Sequence, residues 1–234
     1  LRLRNIRWQE DKRGFIRIYE KPKPGVPYVL GGDTAGEGSD YFVGQVIDNT
    51  NGRLVATLRS EFDEDLYAAQ MVALGSWYNE AMIAVEVNFS TFPQKEMERL
   101  GYRNFYMREV EDDATHRTRM AFGFRTDRLT RPSAIAQLVQ VMREHPETVD
   151  DETTLTEMMA FVRNEAGRAE ASHGAHDDAV MALAIAHYCR TQQRTVAELP
   201  MERRVKWTPD MVEDWQRAGE TERRMMEAEW GAPE

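Results

Sequence analysis

The sequence predicts an α/β fold in which helices flank a mixed sheet of about five or more strands, three antiparallel and the others parallel. Three short apolar segments, at 27–33, 41–48 and 53–60, are separated by a Gly-rich turn and by an Asn/Gly turn at 49–52. This pattern is typical of strands joined by tight connections. The next apolar run, at 81–87, is the kind of strand that is covered on both faces. Helical and strand-like segments then alternate, which indicates helices packed on the sheet.

A crossover helix is predicted before the buried strand. It begins at Asp63 or Glu64, because apolar side chains recur from there to Trp77 at helical spacing. A second helix is predicted over 93–100, and a fifth strand over 103–109. The strand after the crossover helix is therefore expected to lie parallel to a strand of the first three.

The second half of the chain is predicted to be mainly helical. Residues 111–130 are polar and rich in Arg, which indicates a loop or an irregular hairpin. Helices are predicted at about 131–144, 153–163 and 178–191. After the break at 199–200, the spacing of apolar residues predicts an amphipathic helix over about 208–229. We therefore expect one domain at 1–195 and a helical tail at 196–234 that serves as a partner-docking arm.

Composition excludes several classes of protein. The chain has 234 residues, of which 41% are hydrophobic, enough to bury a sizeable core. No apolar run approaches the roughly 20 residues that a membrane span needs, so we expect no membrane partner. A single Cys excludes an internal disulfide and a Cys-based zinc cluster. The first residue is Leu1 rather than Met, which leads us to expect a piece of a longer chain.

Charge is segregated along the chain. The formal net charge of −10 argues against a protein that grips nucleic acid with its whole surface. A local cationic segment at 114–132 is still compatible with phosphate contacts, although a solvated loop explains it equally well. The candidate DNA-binding residues of this segment are Arg117, Arg119, Arg125, Arg128 and Arg131.

Three acidic positions are candidates for a metal site. Asp33 ends the first long strand among glycines that leave space around it, and it is either a turn residue or a ligand. Glu86 ends the buried strand, where an unpaired charge is costly, so either an Arg or a divalent cation should face it. Asp177 and Asp178 precede an apolar helix and are either helix caps or ligands.

The order of these acids is more specific than any one of them. Acids on the first strand, on the fourth strand and at a late helix start follow the layout of two-metal phosphoryl-transfer enzymes with a ribonuclease H-like fold. The sequence also resembles the C-terminal nuclease domain of the large terminase subunit of tailed bacteriophages. The resemblance covers about residues 28–190 and rests on the stretches YVLGGDTAGEGSDYFVGQVID, LGSWYNEAMIAVEVN, LGYRNFYMRE, FGFRTDRLTRPSAI, LTEMMAFV and HGAHDDAVMALAIAHY.

The resemblance implies a metal-dependent endonuclease that cuts concatemeric viral DNA in the cytoplasm of the bacterial host. It implies two divalent ions, Mg²⁺ or Mn²⁺, held by Asp33, Glu86 and Asp177 or Asp178. Asp40 lies in one of the matching stretches and is a candidate for the outer coordination sphere, or it shapes the turn. His176 is a second outer-sphere candidate, or a surface histidine.

The resemblance also implies partners and leaves two alternatives open. The expected partners are double-stranded DNA, an ATPase domain that precedes this one in the same polypeptide, the portal ring and the small terminase subunit. One alternative is another ribonuclease H-like nuclease, of the resolvase or integrase type. The other is a docking module of the packaging motor whose nuclease site is idle outside the assembly.

Overall fold

The computed structural model describes residues 7–34, 41–61, 63–111, 118–164, 169–193 and 209–219, together with the isolated positions 223 and 226. The chain forms two compact units, Leu1–Arg194 and Thr195–Glu234. No helix among the described residues is long and apolar enough to cross a membrane. In the second unit, the predicted helix over 208–229 is described from Pro209 to Arg217 and at the two isolated positions.

The first unit is built on a five-stranded mixed sheet. Its strands are β1 (Ile16–Ile18), β2 (Tyr28–Asp33), β3 (Phe42–Asp48), β4 (Leu54–Ser60) and β5 (Met82–Val85). Their spatial order is β1-β4-β3-β2-β5, and every pair is antiparallel except β2 and β5, which are parallel. The predicted mixed α/β sheet is therefore confirmed. The three-residue edge strand β1 was not predicted.

Two small hairpins lie outside this sheet. β6 (Met107–Glu111) pairs with β7 (Thr118–Phe122), and β8 (Phe161–Arg163) pairs with β9 (Ala169–Ala171). The strand predicted at 103–109 joins the main sheet only at Phe105, which bridges Ile83 before the chain leaves to form β6. The chain returns at Phe124, which accepts a hydrogen bond from the Val87 N–H (2.9 Å). The position beyond β5, the sixth in the sheet, is thus shared between two separate segments.

The helices of the first unit are α1 (Glu64–Trp77), α2 (Phe92–Arg99), α3 (Thr130–Glu144), α4 (Glu152–Ala160) and α5 (Asp178–Cys189). α1 and α2 pack on one face of the sheet, where Leu30 and Met71 belong to the same core cluster. α5 packs on the other face together with α3. The helix predicted at 153–163 ends earlier than expected, because Phe161–Arg163 pairs with β9 instead.

Gly31 explains how closely α5 lies against the sheet. A Cβ atom at this position would come within 2.2 Å of the Ala182 carbonyl oxygen and 2.6 Å of the Ala186 nitrogen. Only a residue without a side chain permits this approach. α5 is apolar all round and nearly every one of its residues is buried, as expected of a helix enclosed on all sides. Its first residue therefore lies near the end of β2.

Candidate functional site

The carboxylates of Asp33 and Glu86 meet at one end of the sheet. β2 and β5 are parallel neighbours, with Gly32 opposite Val85, so their carboxyl ends lie side by side. Both side chains point to the face that α5 covers, since side chains alternate along a strand. Asp33 is 8% exposed and Glu86 is 7% exposed, and their carboxyl groups lie close enough to interact directly. Two buried acids in contact require that one of them carries a proton or that a cation joins them.

Asp178 adds a third carboxylate to this end of the sheet. It is the first residue of α5 and is 8% exposed, and its Oδ2 accepts a hydrogen bond from the Tyr41 N–H (3.4 Å). Burial raises the pKa of Asp33 well above its ordinary value, and the hydrogen bond and charge of Glu86 and the charges of Asp178 and Asp177 add to this effect. The four predicted ligands are therefore close enough to interact electrostatically.

All four acids line one open cavity of about 1350 Å³. Within the described parts of the chain, no three Asp, Glu, His or Cys side chains are already arranged to hold one metal ion. The donor chemistry nevertheless fits, because carboxylate oxygens are the ligands that Mg²⁺ and Mn²⁺ prefer. Clustered acids repel one another without a cation, so a bound cation would stabilise the cluster.

The two aspartates at the start of α5 have different surroundings. Asp177 occupies the position before the first turn but makes no capping hydrogen bond there. Its Oδ2 instead accepts a hydrogen bond from Nη2 of Arg131 (2.8 Å), which also donates to the Ala169 carbonyl oxygen (3.3 Å). The Asp177 side chain is 28% exposed, against 11% for that of Asp178. Asp177 is thus paired with Arg131 on the cavity wall, whereas Asp178 is the more buried of the two and contributes to the charge around Asp33.

A residue that sequence reasoning missed caps α5. Glu157, on α4, accepts hydrogen bonds through Oε2 from the N–H groups of Ala179 (2.8 Å) and Val180 (3.4 Å). These are amides of the first turn, which have no partner within the helix. The sequence offered no signal for this contact, because a Glu in a short amphipathic helix looks like a surface residue. Glu157 of α4 thus supplies the helix cap that was expected of Asp177.

The two outer-sphere candidates differ in what the structure describes. The Nδ1 atom of His176 lies 3.6 Å from Oδ2 of Asp178, and its ring packs edge-on against Tyr41. Asp40 lies outside the described residues.

The predicted DNA-binding arginines do not form one group. Arg128 and Arg131 line the acidic cavity, whereas Arg119 and Arg125 are not among its lining residues. Arg119 and Arg125 lie near Arg108, whose pKa is lowered by burial and by their two charges. Arg117 lies outside the described residues.

Two further arginines, Arg143 and Arg163, line the cavity and were not predicted. Arg143 lies three turns along α3 from Arg131, at helical spacing through Ile135 and Val139, which line the cavity too. This face of α3 could have been found from the periodicity of the predicted helix. Arg163 could not, because it lies on β8, where a helix was predicted.

Solved structures of phage proteins share this architecture. The large terminase nuclease from thermophilic phage G20c is 24% identical with a TM-score of 0.59, over 76% of this chain and 90% of that chain. The large terminase nuclease domain of Thermus phage P74-26 is 23% identical with a TM-score of 0.58, over 75% and 86%. The P22 large terminase nuclease domain is 14% identical with a TM-score of 0.50, over 78% and 92%.

The chain has the fold of a large terminase nuclease domain. The predicted ribonuclease H-like architecture is confirmed with it. Further structures of the G20c terminase nuclease contain bound cobalt, magnesium or zinc. No protein-family model and no curated protein matches the sequence.

Proposed function

We propose that this chain is the nuclease domain of a phage DNA-packaging terminase and that it cuts double-stranded DNA with two Mg²⁺ or Mn²⁺ ions. One observation carries the proposal. Asp33, Glu86 and Asp178 come from distant parts of the sequence and meet at one end of the sheet, in a cavity that arginines also line. The terminase nuclease fold of the chain supports the same reaction class.

Each acid has its own part in the proposed site. Asp33 is buried and interacts with all the other acids, so it would be the carboxylate that holds both ions. Glu86 and Asp178 would supply the other carboxylate ligands. When bound, the ions would supply Lewis-acid activation of water and of the scissile phosphate. The protein fixes the donor oxygens on two strands and a helix, which are rigid supports for a site of this kind.

Asp177 is the proposed partner of Arg131 rather than a metal ligand. The ion pair holds the guanidinium of Arg131 at the cavity wall, where it can meet a phosphate of the substrate. The proposal therefore gives the two adjacent aspartates different roles. It rests on the ion pair of Asp177 with Arg131 and on the deeper burial of the Asp178 side chain.

The wider assembly belongs to the same proposal. A chain with a formal net charge of −10 binds DNA weakly by itself, so an ATPase domain of the same polypeptide would deliver the substrate to the cavity. The proposed domain boundary lies near 195. The segment 196–234 is proposed as the arm that docks on the portal ring or the small terminase subunit. The proposed location is the cytoplasm of the bacterial host.

A plasmid-cleavage assay tests the function directly. We expect the protein to nick and then linearise supercoiled plasmid in Mn²⁺ or Mg²⁺ and to leave it intact in EDTA. Absence of cleavage with both metals would contradict an active nuclease and favour the idle docking module. A marked preference for branched DNA would instead favour a resolvase.

The cavity arginines should control DNA binding and its dependence on salt. Arg128→Ala or Arg143→Ala should weaken binding of a labelled duplex in EDTA and reduce the slope of log affinity against log salt by about one. The reason is that each phosphate contact releases condensed counterions from the DNA. Fluorescence anisotropy at several salt concentrations measures both effects. Arg99→Ala is the matched control, because α2 packs on the opposite face of the sheet; an equal loss there would refute the assignment.

A further inference from the structure

Glu157 is the contact between α4 and the first turn of α5. Its side chain is 7% exposed, and its Oε2 atom accepts the Ala179 and Val180 amides. Ala179 directly follows Asp178 in the chain. A carboxylate at a helix N-terminus is favoured by the free amides and by the helix dipole, so this contact fixes the first turn firmly.

The other carboxylate oxygen of Glu157 is connected to Asp178 by a second series of contacts. Oε1 lies 3.3 Å from Nη2 of Arg59, on β4. The guanidinium of Arg59 stacks on the ring of Tyr41, 3.9 Å from its centroid, and the Tyr41 N–H donates to Asp178. Glu157 is therefore linked to Asp178 through the helix backbone on one side and through Arg59 and Tyr41 on the other.

α4 is itself anchored to the sheet, so Glu157 has a rigid support. Asp151 caps α4 by accepting the Thr154 N–H (2.7 Å), and the Thr154 hydroxyl accepts a hydrogen bond from Nε2 of Gln45 on β3 (2.7 Å). Both Asp151 and Thr154 are buried. The position of Glu157 is thereby tied to β3, the strand that pairs with β2 and its terminal Asp33.

We propose that Glu157 is a positioning residue that holds Asp178 in the geometry needed to bind a divalent cation. It is not one of the residues that line the acidic cavity, so it acts through α5 and not by touching substrate or metal. The inference rests on the proposed nuclease function. A supporting residue of this kind typically changes metal affinity by about 10–100-fold when it is removed.

A role in stability alone is the competing explanation, and a control variant separates the two. Asp48 is also a buried carboxylate that accepts a backbone amide, that of Thr50 (2.8 Å). It lies at the opposite end of β3 from Val43, which pairs with Asp33. Asp48→Asn should therefore lower thermal stability without affecting the acids at the other end of the sheet.

The experiment compares Mn²⁺ affinity with thermal stability. Isothermal titration calorimetry measures the affinity of the whole chain for Mn²⁺, and calorimetric melting in EDTA measures Tm. We expect Glu157→Ala to raise the Mn²⁺ dissociation constant at least about tenfold. Glu157→Gln keeps a carbonyl oxygen for the Ala179 amide and should recover part of that loss. Asp48→Asn should lower Tm and leave the dissociation constant at the wild-type value.

The outcomes separate this inference from the proposed function. Wild-type Mn²⁺ affinity in both Glu157 variants, with a lowered Tm, would overturn the positioning role and leave the nuclease proposal intact. An equal loss of affinity in Asp48→Asn would overturn it as well, since a general loss of stability would then explain the effect. A wild-type chain that neither binds Mn²⁺ nor cuts plasmid would refute the proposed function and this inference together. If Glu157→Ala does not fold, Glu157→Gln alone decides.

Discussion

Asp33→Asn should reduce metal-dependent plasmid cleavage on the order of a thousandfold or more while leaving the fold intact. Asp33 is the acid that interacts with every other proposed ligand, so its loss affects both proposed ion positions. Asn retains the size of the side chain but not the charge that attracts a cation. Cleavage rates in Mn²⁺ and the circular dichroism spectrum measure the two parts of the prediction.

The same variant should raise the stability of the metal-free protein at neutral pH. Burial and the neighbouring acids hold the pKa of Asp33 above its ordinary value, so the folded state binds this proton more tightly than the unfolded state. Stability contributed by Asp33 therefore falls as pH rises from its ordinary pKa, near 4, towards the folded value. Asn avoids this loss, so the gain in Tm should be present at pH 7 and should shrink as the pH approaches 4.

Two comparisons make the Asp33 prediction decisive. Mn²⁺ should raise the Tm of the wild-type protein and not that of Asp33→Asn, because binding to the folded state alone stabilises it. Asp48→Asn, at the far end of the sheet, should keep full cleavage. Normal cutting by Asp33→Asn would remove this residue from the mechanism, and a lowered Tm at pH 7 would show that its charge is compensated.

The acids at the strand ends were predictable because strand periodicity is local. An apolar run that ends in a single carboxylate indicates both the strand and the edge at which the acid lies, as at Asp33 and Glu86. The proximity of α5 was predictable in outline from its Ala-rich, apolar sequence. The role of Gly31 became visible only with the helix in place, since its reason is the Ala182 carbonyl oxygen 2.2 Å from a Cβ atom.

The structural features that the sequence did not predict depend on contacts between distant parts of the chain. β1 has only three residues and lies at an edge, with Arg17 between two isoleucines, so it carries almost no periodic signal. The segment 161–163 continues a helical pattern, yet pairing with β9 ends the helix at Ala160. Arg163 gains its position from this pairing, and Glu157 gains its position from the contact of α4 with β3. Local propensity is a weak guide wherever such contacts override it.

Substitution of the two adjacent aspartates should have effects of very different size, although the sequence did not show which of them is the metal ligand. Asp178→Asn should reduce cleavage and Mn²⁺ affinity about as severely as Asp33→Asn, because Asp178 is buried against the acid cluster. Asp177→Asn should reduce cleavage only about tenfold, since it mainly weakens the ion pair of a partly exposed carboxylate with Arg131.

A double-mutant cycle tests the separate role of Asp177. If Asp177 acts by holding Arg131, then Asp177→Asn should add little to the cleavage loss caused by Arg131→Ala, because the two changes remove one interaction. Asp178→Asn should add its full effect in the same background. A reversed ranking, with Asp177→Asn abolishing Mn²⁺ binding and Asp178→Asn retaining it, would show that Asp177 exchanges Arg131 for the metal when the cation binds. The ion pair at 2.8 Å would then be a feature of the metal-free state alone.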